Sequence, residues 1–220
     1  EINNDLCSEN KMFRLLQGDV GSGKTIVSLL SAFNTINSGF QVAVMAPTEI
    51  LARQHFLLAK KLFSQNIKID LLSGKSSYKD KKIILNKISN KQIDIIFGTH
   101  ALFQKKVEFK KLGLIIIDEQ HKFGVNQRKK LSDKGGNNCD VLLMTATPIP
   151  RTLTMTIYGD MDLSIIKEKP KSRKEVITYS KLDTKIDDVI RFVKNEIKGG
   201  NQIFWVCPLI EESEKIDHSS

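Results

Sequence analysis

Cysteine is scarce in this sequence. Cys7, Cys139 and Cys207 are the three among 220 residues, and they lie far apart. Their odd number excludes a fully paired disulfide scaffold, and no Cys-x-x-Cys pair is present to form a zinc site. We therefore expect three free thiols.

Long apolar runs are also missing. No run reaches the ~20 residues that a membrane helix needs, and the segment from Glu1 to Asn10 is too polar for a secretory signal. With five prolines, 40% hydrophobic and 27% charged residues, the composition is that of a globular protein rather than a disordered or fibrous one. We expect a cytoplasmic protein with no membrane partner.

Arginine is rare among the 34 basic residues, while lysine is abundant, and the formal net charge is +9. An excess of positive charge suits a polyanionic partner such as nucleic acid. A general compositional drift toward lysine explains the same excess. Charge alone therefore favours nucleic acid only slightly.

Apolar runs of strand length alternate with longer stretches of helical period. This alternation predicts an α/β fold, with a mostly parallel sheet covered by helices on both faces. The predicted strands are Met12 to Gln17, Gln41 to Ala46, Ile67 to Leu72, Ile93 to Gly98, Leu114 to Asp118 and Val141 to Thr145.

Three helices have readable ends between these strands. The first starts at about Lys24 and stops near Gly39, where glycine can adopt a left-handed cap. The second starts around Thr48, and the third at Ser77, a capping residue. In the second helix, four apolar residues recur at helical spacing and are expected to face the sheet: Ile50, Leu51, Leu58 and Leu62.

A second unit follows a charged, aperiodic stretch. The pattern predicts a strand from Val176 to Tyr179, a helix capped by Asp183 that ends at Gly199, and a strand from Ile203 to Cys207. This is about one β-α-β element, which is less than an independent domain usually contains.

A phosphate-binding loop lies between the first strand and the first long helix. Its glycines allow positive φ angles, so that successive N–H groups can converge on phosphate oxygens at the helix N-terminus. Lys24 would reach the β- and γ-phosphates, and the Thr25 hydroxyl would bind Mg²⁺. The alternative is a glycine-rich turn with an exposed lysine. The loop comprises Gly18, Asp19, Val20, Gly21, Ser22, Gly23, Lys24 and Thr25.

Two carboxylates follow the fifth strand, at the edge where parallel sheets place their ligands. Asp118 can hold the Mg²⁺ shell, and Glu119 can orient and deprotonate an attacking water. The alternative is a pair of solvated residues that close a strand.

Several ordered segments together resemble the RecG-type branched-DNA helicases of superfamily 2. They resemble motif I (Leu15 to Thr25), motif Ia (Ala46 to Ala52), motif Ib (Gly98 to Leu102), motif II (Asp118 to Gly124), motif III (Thr145 to Thr152) and the region of motif IV (Trp205 to Glu214).

The resemblance implies a RecA-like ATP-binding domain over residues 1–166, a linker over 167–175 and a truncated start of the helicase C-terminal domain over 176–220. It implies ATP and Mg²⁺ as cofactors and branched or forked DNA as the partner, in recombination and repair. Gln120 would contact the nucleotide γ-phosphate.

By position, the resemblance also assigns residues to DNA and to coupling. Those beside the DNA backbone would be Thr48, Glu49, Arg53, Thr99 and His100. A hydroxyl at a helix N-terminus is a good phosphate contact, although Thr48 is equally suited to be an ordinary helix cap. Together with Gln120, His121 would pass the nucleotide state to Thr145 and Thr147, for which core packing or strand capping is the alternative.

The sequence departs from the family at several points. The segment from Glu1 to Met12 contains no glutamine to read the adenine, which leaves base specificity open. Motifs V and VI, with their arginine finger, are not in these 220 residues, and such a finger contributes about 10³ to 10⁵ in kcat. We expect this chain alone to hydrolyse ATP slowly and not to unwind DNA, unless another chain supplies the missing parts.

Two other interpretations remain. One is the translocation module of a transcription-repair coupling factor, which shares most of these motifs; Gln120 and the segment from Trp205 to Glu214 favour RecG. The other is a non-catalytic ATP- or DNA-binding remnant of a split gene.

Overall fold

The structure, a computed structural model, describes residues 1–74, 77–119, 139–147, 161–168 and 176–206. The chain divides into two units, Glu1–Arg173 and Lys174–Ser220. Among the described residues, no helix is long and apolar enough to cross a membrane.

Seven parallel strands in the order β3-β4-β2-β5-β6-β1-β7 form the sheet of the first unit. Six of them confirm the predicted strands to within about two residues at each end. The seventh, at the edge beside β1, was not predicted. In chain order they are β1 (Phe13–Gly18), β2 (Gln41–Met45), β3 (Ile69–Leu72), β4 (Ile95–Gly98), β5 (Leu112–Ile117), β6 (Asp140–Thr145) and β7 (Asp162–Ile166).

The described helices of this unit include the three that were predicted, which begin close to the predicted positions, and two helical segments that were not predicted. They are α1 (Ile2–Leu6), α2 (Lys24–Asn37), α3 (Glu49–Leu62), α4 (Tyr78–Ser89) and a 3-10 turn (His100–Phe103). The Ser77 hydroxyl accepts a hydrogen bond from the Asp80 amide at 3.1 Å, which confirms the predicted cap of α4. Gly39, after α2, has a left-handed φ of 81°.

Alternate strand residues face two separate cores. Leu15, Ile115 and Leu143 belong to the core that α4 covers, while Leu16 and Ile116 belong to the core that α1, α2 and α3 cover. β2, β4 and β5 are buried at every position, which explains why they read as continuous apolar runs. The predicted fold class is therefore confirmed.

The buried face of α3 matches the prediction only in part: Leu51 and Leu58 are half-buried, and Leu58 packs against the core. Ile50 and Leu62 are exposed, at 73% and 54%. The buried positions are instead Ala52, His55 and Ala59. Two alanines let the helix backbone approach the sheet closely, and this brings the polar His55 into the interior.

Arg14 links α1, β1 and β7 at one edge of the sheet. This buried residue of β1 donates from its Nε to Asp5 of α1, at 2.5 Å, and from its Nη1 to Ser164 of β7, at 2.9 Å. The Ser164 hydroxyl in turn donates to Glu1. Neither α1 nor β7 was predicted, because both are short and partly polar and depend on this tertiary cluster.

The second unit contains one described α-helix, α5 (Ile186–Lys198). Asp183 begins a 3-10 turn rather than capping this helix, which corrects the prediction. Residues 176–179 and 203–206 form no strand, because within the described residues of this unit neither has a partner backbone for a ladder. Cys207 lies outside the described residues.

Cys7 is exposed and Cys139 is buried, and both are free thiols as predicted. Burial raises the pKa of the Cys139 thiol to about 12. Since the thiolate is the reactive form, Cys139 is chemically inert in the fold.

A buried glutamine joins three elements of the first unit. The Nε2 of Gln41, a residue 1% exposed, donates to the carbonyls of Ile88 and Ile93, both at 2.9 Å. Its Oε1 accepts from the amides of Lys110 at 3.0 Å and Lys111 at 3.1 Å. Gln41→Leu keeps the volume but leaves these backbone groups without partners. We expect the free energy of unfolding in urea to fall by about 2 kcal/mol or more.

Gln65→Leu is the matched control, because Gln65 is exposed. It should change the unfolding free energy by no more than about 0.5 kcal/mol. Equal stabilities of the two variants would show that the Gln41 hydrogen bonds contribute little.

Candidate functional site

The loop after β1 has the backbone conformation that its glycines predicted. Gly21 and Gly23 have φ angles of 80° and 96°, in the left-handed region, and Gly23 is the N-cap of α2. Lys24 starts the helix, and its Nζ donates to the carbonyls of Gly18 at 2.7 Å and Asp19 at 2.9 Å. The lysine therefore lies over the loop, with its charge at the helix N-terminus.

The loop is shaped for an anion. Among the described residues, the hydroxyl of Ser22 is buried without a hydrogen-bond partner. Position 18 has no room for a side chain, because a Cβ at Gly18 would lie 2.6 Å from that hydroxyl oxygen and 3.1 Å from the Cβ of Ile166. A free buried donor, two left-handed glycines and a lysine at a helix N-terminus fit the phosphates of a nucleotide.

Asp118 follows β5 directly and faces the same side of the sheet as α2. Leu114 and Ile116 point toward the core that α2 and α3 cover, and the alternation along the strand places Asp118 on that side. The residue is 9% exposed. β1 and β5 are parallel, so the loop and the carboxylate lie at the same edge of the sheet. They are not on adjacent strands, however, since β6 lies between them.

Both oxygens of Asp118 accept a hydrogen bond. The Nε2 of His55, on α3, lies 2.8 Å from Oδ2, and the amide of Glu119 donates to Oδ1 at 3.0 Å. Each oxygen keeps one acceptor site, which suits a Mg²⁺ shell shared with the Thr25 hydroxyl at the start of α2. Sequence analysis missed His55, because only the fold brings it to Asp118.

Glu119 has a strained backbone. Its φ of 48° is left-handed, which is rare for a residue with a Cβ. This turn interrupts the strand alternation directly after Asp118. Such strain is common at functional positions.

The two predicted coupling threonines contact each other. Thr145 ends β6, and its Oγ1 lies 2.8 Å from the Oγ1 of Thr147 and accepts from the Thr147 amide at 3.2 Å. Thr145 lies on the sheet face opposite Asp118, as its alternation with Leu143 and Met144 indicates. Gln120, His121 and the segment 148–152 lie outside the described residues.

Four of the five residues predicted to lie by DNA line one cavity of about 380 Å³, which we call the α3–α4 cavity. These are Thr48, Glu49, Thr99 and His100. Arg53 is exposed one turn further along α3 and is not among the lining residues. Sequence analysis missed Lys81, Gln104 and Lys106, which also line it. In a lysine-rich sequence, single lysines such as these do not stand out as a binding site.

Two of these residues have structural partners. The Thr48 hydroxyl accepts a hydrogen bond from the Leu51 amide at 3.3 Å, so Thr48 does act as the helix cap that was considered as its alternative role. The Oε1 of Glu49 accepts from the Ser73 hydroxyl at 3.1 Å and from the Gly74 amide at 2.5 Å. Glu49 therefore holds the loop between β3 and α4.

The sequence is similar over nearly its whole length to curated RecG proteins. The ATP-dependent DNA helicase RecG of Streptococcus pneumoniae is 51% identical over 99% of this chain and 32% of the relative. The RecG of Aquifex aeolicus is 51% identical over 99% of this chain and 28% of the relative. The chain thus spans about a third of the length of these relatives.

Solved structures show the same relationship. A structure of RecG bound to a three-way DNA junction has a TM-score of 0.81 and 45% identity, and the match covers 96% of this chain and 28% of that one. The Mss116p helicase bound to single-stranded RNA and AMP-PNP has a TM-score of 0.65 at 19% identity, covering 90% and 46%, which shows the fold alone.

These matches confirm the resemblance to RecG that the motifs indicated. The model of the DEAD/DEAH box helicase family matches residues 2–156, which is more than half of the sequence. With a phosphate loop and an Asp-Glu pair at one edge of a RecA-like sheet, this chain belongs to the DEAD/DEAH box helicase family.

Proposed function

We propose that this chain is the ATP-binding part of a RecG-type DNA helicase that acts on branched DNA in recombination and repair. One observation carries the proposal: the loop from Gly18 to Thr25 and the carboxylate of Asp118 share one edge and one face of the sheet. The 51% identity to RecG supports the helicase type.

The phosphate loop binds ATP through its backbone amides and Lys24. On binding, Lys24 exchanges the carbonyls of Gly18 and Asp19 for phosphate oxygens, which are stronger acceptors because they are charged. The Ser22 hydroxyl gains the partner that it lacks. Gln120 contacts the γ-phosphate, as the resemblance implies.

Thr25 and Asp118 are the residues that would hold Mg²⁺. The ion supplies neutralisation of the charge that develops on the phosphates. Among the described residues, no three His, Cys, Asp or Glu side chains cluster as a metal site, which fits an ion that would arrive with ATP rather than one held by a dedicated protein cage. Glu119 orients the attacking water and accepts its proton.

The α3–α4 cavity binds the phosphate backbone of DNA. Thr48 and Thr99 offer hydroxyls, and His100, Lys81 and Lys106 offer positive charge or N–H donors. Glu49 carries a negative charge and acts indirectly, by holding Ser73 and Gly74. Arg53 contributes from the exposed face of α3.

Coupling between nucleotide and DNA runs through His121 and the Thr145–Thr147 pair. In this scheme, the hydrogen bond between the Thr145 and Thr147 hydroxyls is replaced by another contact when the nucleotide state changes.

The remaining assignments also belong to the proposal. The domain limits are 1–166, 167–175 and 176–220, other helicase parts complete the motor, and the protein works in the cytoplasm. The relatives from Streptococcus pneumoniae and Aquifex aeolicus are both RecG proteins, which disfavours the transcription-repair coupling factor.

A DNA titration tests the proposal. Fluorescence anisotropy with a labelled three-way junction should give an affinity that falls with salt, because phosphate contacts release counterions. Lys106→Ala should weaken binding and lower the slope of log K against log salt by about one. Junction DNA should also stimulate hydrolysis of radiolabelled ATP, which a non-catalytic remnant would not show.

Lys87→Ala is the control, because Lys87 lines a different cavity near the start of β3. It should leave affinity and slope unchanged. An equal loss in both lysine variants would indicate binding by overall charge, and would contradict a specific DNA surface.

A further inference from the structure

A buried histidine contacts the carboxylate assigned to magnesium. His55 and Asp118 are each 9% exposed, and their side chains meet at 2.8 Å although 63 positions separate them. An ionised carboxylate only accepts hydrogen bonds, so we assign the ring hydrogen to Nε2. No motif singled out His55, and the proposed roles of the other site residues do not use it.

The position of the pair argues for more than packing. His55 lies between Ala52 and Ala59 on the buried face of α3, where a larger apolar residue would bury more apolar area. The ring instead reaches Asp118, at the edge of the sheet that also carries the phosphate loop. A buried polar pair of this kind is by itself weak evidence for stability.

The hydrogen bonds fix the orientation of the carboxylate. His55 holds Oδ2 from the side of α3, and the Glu119 amide holds Oδ1 along the chain. Without His55 the group could rotate about its last side-chain bond, since the other contact comes from a neighbouring amide in a strained turn. Partners of this kind orient metal-binding carboxylates.

We infer that His55 is a positioning residue that holds Asp118 in the orientation that receives the magnesium of Mg-ATP. The inference rests on the proposed nucleotide site and adds a residue to it. Removing the ring donor should weaken the gain in nucleotide affinity that Mg²⁺ provides, by roughly 10- to 100-fold. Affinity for nucleotide without metal should stay the same.

The experiment is a titration of the purified protein with a fluorescent ATP analogue, in Mg²⁺ and in EDTA. His55→Leu keeps the bulk and removes the donor, and His55→Gln restores a donor. The leucine variant should lose the Mg²⁺-dependent gain, while the glutamine variant recovers part of it. Lys61→Ala, at an exposed site on the same helix, should match the wild type.

Two outcomes overturn the inference. One is a leucine variant that keeps the full gain from Mg²⁺; the other is an equal loss of affinity in Mg²⁺ and EDTA, which indicates a structural role. A wild type that binds no nucleotide at all would instead refute the proposed function, so the two failures are distinguishable.

A measurement on the wild type covers the case of a leucine variant that does not fold. With ¹⁵N-labelled histidine, the Nε2 resonance of His55 should shift when Mg²⁺ is added to the nucleotide complex. A resonance that responds to nucleotide but not to Mg²⁺ would overturn the positioning role.

Discussion

Lys24→Ala should lower the affinity for ATP by roughly 100-fold or more, because a hydrogen bond to a charged group contributes about 1.5–3 kcal/mol and Lys24 is placed to reach two phosphates. The measurement is isothermal titration calorimetry of the purified chain with ATP and Mg²⁺. Lys82→Ala, an exposed lysine of α4, is the control and should bind as the wild type does.

The change in affinity must be separated from a change in the loop. Lys24 also bonds the carbonyls of Gly18 and Asp19, so its loss could loosen the loop without nucleotide. Thermal unfolding of the nucleotide-free variant should shift by less than about 1 kcal/mol, since both carbonyls can turn to water. Unchanged ATP affinity would remove the basis for the motor function.

Glu119→Gln should slow ATP hydrolysis by about 10² to 10⁴, the usual contribution of a general base. The amide keeps the size and the left-handed backbone of Glu119 but cannot take a proton. ATP affinity should change little. Because we expect slow turnover by this chain, the rate is best followed in single turnovers with radiolabelled ATP and excess protein.

Glu108→Gln is the matched control, because Glu108 is exposed and precedes β5, whereas Glu119 follows it. It should hydrolyse ATP at the wild-type rate. If the Glu119 variant matches it, the base lies elsewhere, and the strain at Glu119 has a structural cause.

Much of the sheet was readable from the sequence. Strands buried on both faces appear as apolar runs. Gly39 marked the end of α2, and Ser77 marked the start of α4. The prediction failed where formation depends on distant partners. β7 exists beside β1 through its ladder and the Arg14 cluster, and the two strands expected in the second unit have no partner among the described residues.

The candidate site was predictable only where it consists of local motifs. The phosphate loop and the Asp118–Glu119 pair are local motifs whose chemistry follows from residue type and from the adjacent strand. The helical spacing of apolar residues suggested that Ile50 and Leu62 face the sheet, yet both are exposed, because two alanines set how closely α3 packs. That close packing is what buries His55.

The sequence by itself determined which residues carry the chemistry, since glycine conformation, helix capping and strand alternation act over a few residues. Only the tertiary structure decided that β6 separates β1 from β5, that Glu49 holds Ser73 and Gly74, and that His55 meets Asp118. These contacts join residues far apart in the chain, and they form only because whole helices and strands pack to exclude water from a shared core.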